Sequence, residues 1–483
     1  MNATALASRL LTERPRPRGI AGWPHAHWLA VGTVCLGAFL GQLDASVIAL
    51  VFPALGRHFD ASFAAVEWVA LAYLLVLVAL LAPIGWLSDL VGRKTMYIGG
   101  FAVFGLSSLG AGFAGSLWAL VGCRAVQAVG AAMMQANSVA LVARGVPARA
   151  MRRALGIQAS AQGLGLALGP SLGGLLVEHA SWRWVFWVNV PIAVFGVLAG
   201  WYLLPRTRTA SGPVVVPAPR RRVPAPAATR FDLPGMLLLT GATTALLLAL
   251  STASGLPLPG WAVAVLLLAA AALALALVRQ ERRAARPILA PGLVNTPGVR
   301  SGLLVALIGY LLLFCPLVLG PVLFAGAGVS TARAGLLVTL LPAAFAFAAT
   351  VGGGLLPRGC SDVTMCRFGA LLAAAGLLLF ALLPATGAAA APLLIAGYGL
   401  GLLLPANNAL VMRAIPAQCS AVGGGMVNMA RSLGTALGMA LSVLGVHLAG
   451  AASGGRTVLV VLAAVAAAAA LLTRPVRGLR GQP

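Results

Sequence analysis

Asp44 and Arg124 are the two charged residues whose placement carries the clearest chemistry. Each falls inside a long apolar stretch, Asp44 within residues 28–52 and Arg124 within residues 117–142. A charged side chain at membrane depth is costly, so it finds an opposite charge or, if a carboxylate, takes up a proton. Of the nine acidic residues, only Asp44 is expected well inside such a stretch. Asp60, Glu67 and Glu178 are read at the outer face, and Glu13, Asp89, Asp232, Glu281 and Asp362 on the cytoplasmic side. Asp44 lies about nine residues, and Arg124 about seven, from the outer ends of their stretches, so at ~1.5 Å per residue both sit roughly 10–14 Å deep. The two are expected to pair, with Asp44 binding a proton and Arg124 setting its affinity and helping its release toward the cytosol. A purely structural, mutually neutralising pair is the rival reading.

The elements that must hold these residues are membrane helices. The chain has 483 residues, of which 60% are hydrophobic and 9% charged, and its mean hydropathy is +0.98. A soluble domain cannot bury that much apolar surface and carries far more charge. Its length allows about fourteen spans of roughly 20 residues, each enough to cross the hydrocarbon. A backbone in lipid must satisfy its own hydrogen bonds, which makes helices the expected state, and the short alternating segments of a barrel are missing. The expected fold is an all-α polytopic membrane protein. It has a cytosolic tail at 1–27, a six-helix bundle at 28–204 and an Arg/Pro-rich cytosolic loop at 205–231, read as a disordered tether. Two linker helices at 232–278, read as a spacer without membrane charge, a cytosolic linker at 279–300, a second six-helix bundle at 301–473 and a tail at 474–483 complete it.

The net charge of +24 would suggest nucleic acid in a soluble protein. Here the basic residues lie in short runs between apolar stretches, as the positive-inside rule distributes them, so no nucleic-acid partner is expected. Arg57, Arg183, Arg333 and Arg456 fall in outer loops, Arg124 and Arg431 inside spans, and every other basic residue in a cytoplasmic segment. That separation requires an even number of spans with both termini cytoplasmic. Lys94 is the only lysine, a bias that fits a GC-rich bacterial genome. No signal peptide is expected at the N-terminus. The six cysteines are scattered without a histidine pair, so no metal site is expected. No nucleotide-binding loop or nucleophile–base cluster appears, which argues against an enzyme and against direct ATP drive.

Several motifs lie on these spans. The loop after the second span reads GWLSDLVGRK and contains Gly85, Asp89, Gly92, Arg93 and Lys94. Its glycines permit close, sharply turned helix ends; Asp89 and Arg93 can pair, and Lys94 is expected to face the cytosol. The fourth span holds LVGCRAVQAVGAA, with Gln127 three residues after Arg124. The fifth reads GLALGPSLGG, with Gly165, Gly169, Pro170, Gly173 and Gly174. Small residues four apart let helices approach closely, and the proline kinks the span. The first span ends in QLDASVIALVFPAL, Trp68 and Tyr73 stand five apart in the second, WRWVFWVNVPI enters the sixth and RSLGTALGMAL lies in the thirteenth.

Together these motifs resemble the fourteen-span drug:proton antiporter family of the major facilitator superfamily. GWLSDLVGRK is similar to its loop signature, the Arg124–Gln127 segment to its R-x-x-Q-G motif with Ala128 for the glycine, and GLALGPSLGG to the motif of its exporters. In the first-span motif Ala49 stands where the family carries asparagine, and the second-half counterpart of the loop, residues 352–369, is eroded.

The resemblance implies a proton-coupled antiporter in a bacterial inner membrane, exporting small amphipathic compounds such as drugs or antibiotics by alternating access. It would run on the proton gradient without a cofactor. Its partners would be the lipid bilayer, a small-molecule substrate and, by family analogy where an outer membrane exists, a periplasmic adaptor. Residues expected to face the substrate cavity are Tyr73, Gln127, Gln135, Asn137, Gln158 and Gln162 from the first half, and Asn407, Asn408, Asn428 and Arg431 from the second. Any of these polar residues can equally join helices to one another. Neutral, monocationic and anionic substrates stay open. The alternatives are a dedicated exporter of one endogenous metabolite or siderophore, and a non-transporting receptor or scaffold on the same fold.

Overall fold

The computed structural model describes residues 15–23, 25–147, 150–207, 232–284, 296–352, 360–415 and 420–472, with Glu13 and Val294. All regular structure among the described residues is helical. The first half holds α1 (Ala26–Phe59), α2 (Trp68–Val91), α3 (Arg93–Gly112), α4 (Leu117–Gly145), α5 (Met151–His179) and α6 (Asn189–Leu203). Next come α7 (Leu233–Ala253) and α8 (Trp261–Arg283). The second half holds α9 (Pro297–Gly326), α10 (Thr331–Phe347), α11 (Asp362–Leu382), α12 (Ala390–Ala414), α13 (Ser420–Ala449) and α14 (Gly455–Leu472). These correspond to 14 helical segments long and apolar enough to cross a membrane. The expectations for residues 1–12, 208–231, 285–293 and 473–483 lie outside the described residues.

Local chemistry sets the helix ends. Ser116, Ser330 and Ser361 each accept a hydrogen bond from a backbone N–H three residues on, opening α4, α10 and α11. Asp232 does the same for α7 through Gly235 N, at 3.0 Å. Such caps satisfy amides that a helix start leaves without partners. Between α2 and α3 the chain turns at Gly92, whose φ of 111° is strained for any residue with a side chain.

The two halves pack alike. α1 lies along α5, and their counterparts α9 and α13 lie along each other in the second half. Across the interface α5 meets α10, and the related pair α13 and α2 also touch. This reciprocal contact is the mark of a duplicated bundle with a pseudo-two-fold axis. One apolar core runs through both halves. The α7–α8 hairpin stands at the edge, with Leu267, Leu268 and Leu275 of α8 turned outward, as suits a surface solvated by lipid.

α7 does more than fill space. Ser251, near its outer end, donates a hydrogen bond to Glu67, and α7 touches both α2 and α13. Glu67, which caps the outer start of α2, is therefore fully buried. It is one of four acids besides Asp44 that lie buried, with Glu13, Asp232 and Glu281.

Candidate transport site

The Asp44 carboxylate stands in α1 with only 1% of its side chain exposed, and so does the Arg124 guanidinium from α4. Arg124 Nη1 donates to Asp44 Oδ2 at 2.6 Å. The other carboxylate oxygen, Oδ1, accepts from Gln127 Nε2 and from Asn189 Nδ2, each at 3.0 Å. Gln127 also donates to Ser108 Oγ at 2.8 Å and takes a bond from Arg124 on its carbonyl oxygen at 2.5 Å. Arg124 Nε donates to the Val69 carbonyl at 3.0 Å. Five helices of the first bundle thus converge on one ion pair. A buried pair persists only when its spare donors and acceptors find partners, and here nearly all do. The exception is Asn189 Oδ1, buried without one.

Tyr73 and Phe186 flank the guanidinium, whose carbon lies 4.4 Å and 5.9 Å from the two ring centroids. Tyr73 also lines a central cavity between the bundles, with a volume of about 70 Å³. Gly41, Gln42 and Ala45 of α1, Gln135 and Ser138 of α4, and Gln162 of α5 form one side. Phe314 of α9 and Arg431, Ser432 and Thr435 of α13 form the other. Asp44 lies behind this wall.

Of the ten residues expected to face the cavity, Tyr73, Gln135, Gln162 and Arg431 line it. The other six do not. Gln127 is turned into the Asp44 cluster. Asn137 donates to Ser88 Oγ and accepts from Arg93, joining α4 to the α2–α3 turn. Gln158 is buried, with its carbonyl oxygen unpartnered. Asn407 donates to the Gly302 carbonyl, holding α12 to α9, and α12 lends the cavity no residue, which also removes Asn408. Asn428 sits one turn of α13 before the lining residues. Gln42, Tyr97, Phe314, Ser432 and Thr435 line the cavity without having been expected to.

The outer ends of the bundles are closed. Ser171 and Thr339 hydroxyls meet at 2.5 Å, and Glu178 Oε2 accepts from the backbone N–H of Ala332 in the first turn of α10 at 2.5 Å. Gly174 and Gly335 pack Cα to Cα: a Cβ on Gly174 would lie 3.2 Å from Gly335 Cα, and one on Gly335 would meet the Pro170 carbonyl. The motif of α5 therefore has two faces. Gly165, Gly169 and Gly173 take α1, at Phe39, Ser46 and Val47, while Pro170 and Gly174 take α10.

A family profile described as Major Facilitator Superfamily matches residues 34–258 and again residues 235–439. The chain belongs to the major facilitator superfamily. Within the superfamily it is similar to the tetracenomycin C resistance and export protein of Streptomyces glaucescens, 30% identical over 89% of this chain and 77% of that protein. It is also similar to the riboflavin transporter RibZ of Clostridioides difficile, 27% identical over 86% of this chain and 87% of that one. In fold it resembles a bacterial homologue of the human lysosomal transporter Spinster in an inward-facing, occupied conformation, with a TM-score of 0.64 at 16% identity over 94% of this chain and 97% of that chain. Superfamily members are membrane transporters, and this chain is a multi-pass one.

The superfamily's loop signature sits at the α2–α3 turn. Gly85 lies in α2, Gly92 makes the turn, and Arg93 Nη1 donates to Asn137 at 3.4 Å. The side chain of Asp89 lies outside what the structure describes. Lys94 does not face the cytosol: it is 2% exposed, and its ammonium donates to the Trp201 and Leu204 carbonyls at 3.0 and 2.8 Å. Those carbonyls end α6 and have no helical partners of their own. Glu13 completes this corner by accepting from Thr207 N and Oγ1, and a Cβ at Gly92 would collide with its carboxylate. Among the direct partners of Asp44, Asn189 is the one that sequence reasoning left out. A lone amide in the apolar start of α6, within a superfamily motif, was its one signal.

Proposed function

We propose that this chain is a proton-coupled antiporter that exports small amphipathic compounds from a bacterial cytoplasm, driven by the proton gradient without a cofactor. The observation that carries the reading is the position of Tyr73, with the cavity on one face and the Arg124 guanidinium against it. A substrate entering the cavity touches Tyr73, and any shift of the ring moves Arg124 relative to Asp44. Asp44 then holds a proton in the state where Arg124 has withdrawn, and releases it as the pair re-forms. The cycle alternates this outer-closed arrangement with one in which α5 and α10 part, rocking the two bundles about the cavity. The similarity to relatives named for export and resistance extends beyond any single motif, over 89% of this chain for one and 56% for another.

A dedicated exporter of one endogenous metabolite is the second reading, favoured by relatives named for single compounds, riboflavin and tetracenomycin C. Efflux by a bacterial host stripped of its own pumps tests the first, with native chain and Asp44→Asn at equal expression. The proposal expects export that an uncoupler abolishes and the variant lacks. Native activity surviving both treatments sinks proton coupling. Native cells that match the empty vector across a broad panel leave the dedicated exporter.

A further inference from the structure

The antiport reading leaves the charge of the substrate open, and the cavity wall speaks to it. Among the residues that line the cavity, Arg431 is the only charged one. Its guanidinium carbon stands 5.1 Å from the ring centroid of Tyr310, and no carboxylate lies within ion-pair distance of it among the described residues. The nearest membrane acid along the fold, Asp44, has both oxygens engaged by Arg124, Gln127 and Asn189 and is shielded from the cavity. The two arginines therefore differ: Arg124 is neutralised within its own bundle, and Arg431 has no counter-ion among the described residues.

An arginine at mid-membrane depth is tolerated where it pairs or meets water. While the cavity is hydrated, water serves. When the bundles close over a bound molecule, that water leaves, and the cation needs a partner in the remaining space. A cationic ligand would add like-charge repulsion there, and a neutral one would leave the guanidinium bare. An anion supplies the missing charge and gains charge-assisted hydrogen bonds, which guanidinium forms with particular strength to planar acids. Beside Arg431, Ser432 and Thr435 offer hydroxyls, and Tyr73 and Phe314 offer rings to an apolar body.

Building on the antiport reading, we infer that the transported compounds are anionic aromatic amphiphiles and that Arg431 is their counter-ion, the residue that sets charge specificity. The rival is a structural Arg431 held by its stack on Tyr310.

Inverted membrane vesicles energised with a proton gradient separate the two. Three probes suffice: 8-anilino-1-naphthalenesulfonate, N-phenyl-1-naphthylamine, which has the same rings without the sulfonate, and the cation rhodamine 6G. Native vesicles are expected to take up the sulfonate at least about tenfold better than either other probe, the scale of one charge-assisted contact. Arg431→Gln should remove that preference while still moving the neutral amine, and Arg431→Lys should restore part of it. Thermal unfolding of the purified variants checks that each is folded, and equilibrium binding of the sulfonate to native and Lys variants supplies a second reading should the Gln variant not fold. Unchanged sulfonate uptake in Arg431→Gln, or a native preference for the cation, overturns the inference. If neutral or cationic probes move in an Asp44-dependent way with no sulfonate preference, the charge assignment falls and antiport stands. If no probe moves and none binds, both fall.

Discussion

The ring of Tyr73 separates the central cavity from the buried guanidinium of Arg124, 4.4 Å from its centroid. The contact is one between a cation and a ring face, worth about 0.5–2 kcal/mol according to its desolvation. It needs the ring and not the hydroxyl. Tyr73→Phe is therefore expected to keep uncoupler-sensitive efflux within about twofold, whereas Tyr73→Ala should lower it about tenfold or more. Equal losses in the two variants would mean that the phenol acts through its hydroxyl in the cavity.

The ion pair itself should show non-additive energetics. Asp44→Asn leaves Arg124 buried with a weaker partner, and Arg124→Gln leaves Asp44 without its cation. Each is expected to destabilise the folded chain by roughly 3–5 kcal/mol, the usual cost of breaking a buried pair on one side. The double variant should recover much of that loss, as coupled neighbours do, yet stay inactive in proton-driven export. Denaturant unfolding in detergent measures the first part and vesicle transport the second. Additive losses in the double variant would contradict the pairing.

Gly335 offers a handle on conformation. A side chain there meets the Pro170 carbonyl and Gly174 across the bundle interface, so Gly335→Val should hold the outer ends apart. A cysteine placed at Thr435 in this variant should react with an impermeant thiol reagent added from outside, and the same cysteine without the valine should not. Transport should fall in both directions. Labelling unchanged by the valine would show that the outer contact is not the gate.

Lys94 makes a prediction opposite to the one its loop position suggests. Because it bonds two carbonyls at the end of α6, Lys94→Met is expected to cost stability, about 1–3 kcal/mol, with little change in the apparent KM for substrate. Thermal unfolding and concentration-dependent efflux together decide this. A large KM effect with unaltered stability would instead mean that Lys94 acts in the transport cycle and not in holding α6.

Depth along the membrane was legible from the sequence, and rotation about a helix axis was not. The apolar stretches fix where each residue sits between the two faces, so the equal depth of Asp44 and Arg124 could be counted out before any contact was known. What surrounds a residue depends on how neighbouring helices turn. Gln127 and Arg431 both looked like cavity residues, but one points into the ion-pair cluster and the other into the open space. Asn189 and Ser108 joined Asp44 from helices whose sequences say nothing about which neighbour they face. The burial of Lys94 and Glu67 has a related cause: the end of α6 covers one and the outer end of α7 the other, over polar groups that the hydropathy pattern leaves at the rim.

Arg431, the single positive charge in the cavity, also bears on electrical work. On the proposed cycle, one anion leaves the cell as one proton enters, and each movement carries a positive charge equivalent inward. Two charges cross per turnover, each worth about 2.3 kcal/mol per 100 mV of membrane potential. Export should thus be a current, readable on a supported membrane, and voltage alone should drive it when the pH on the two sides is equal.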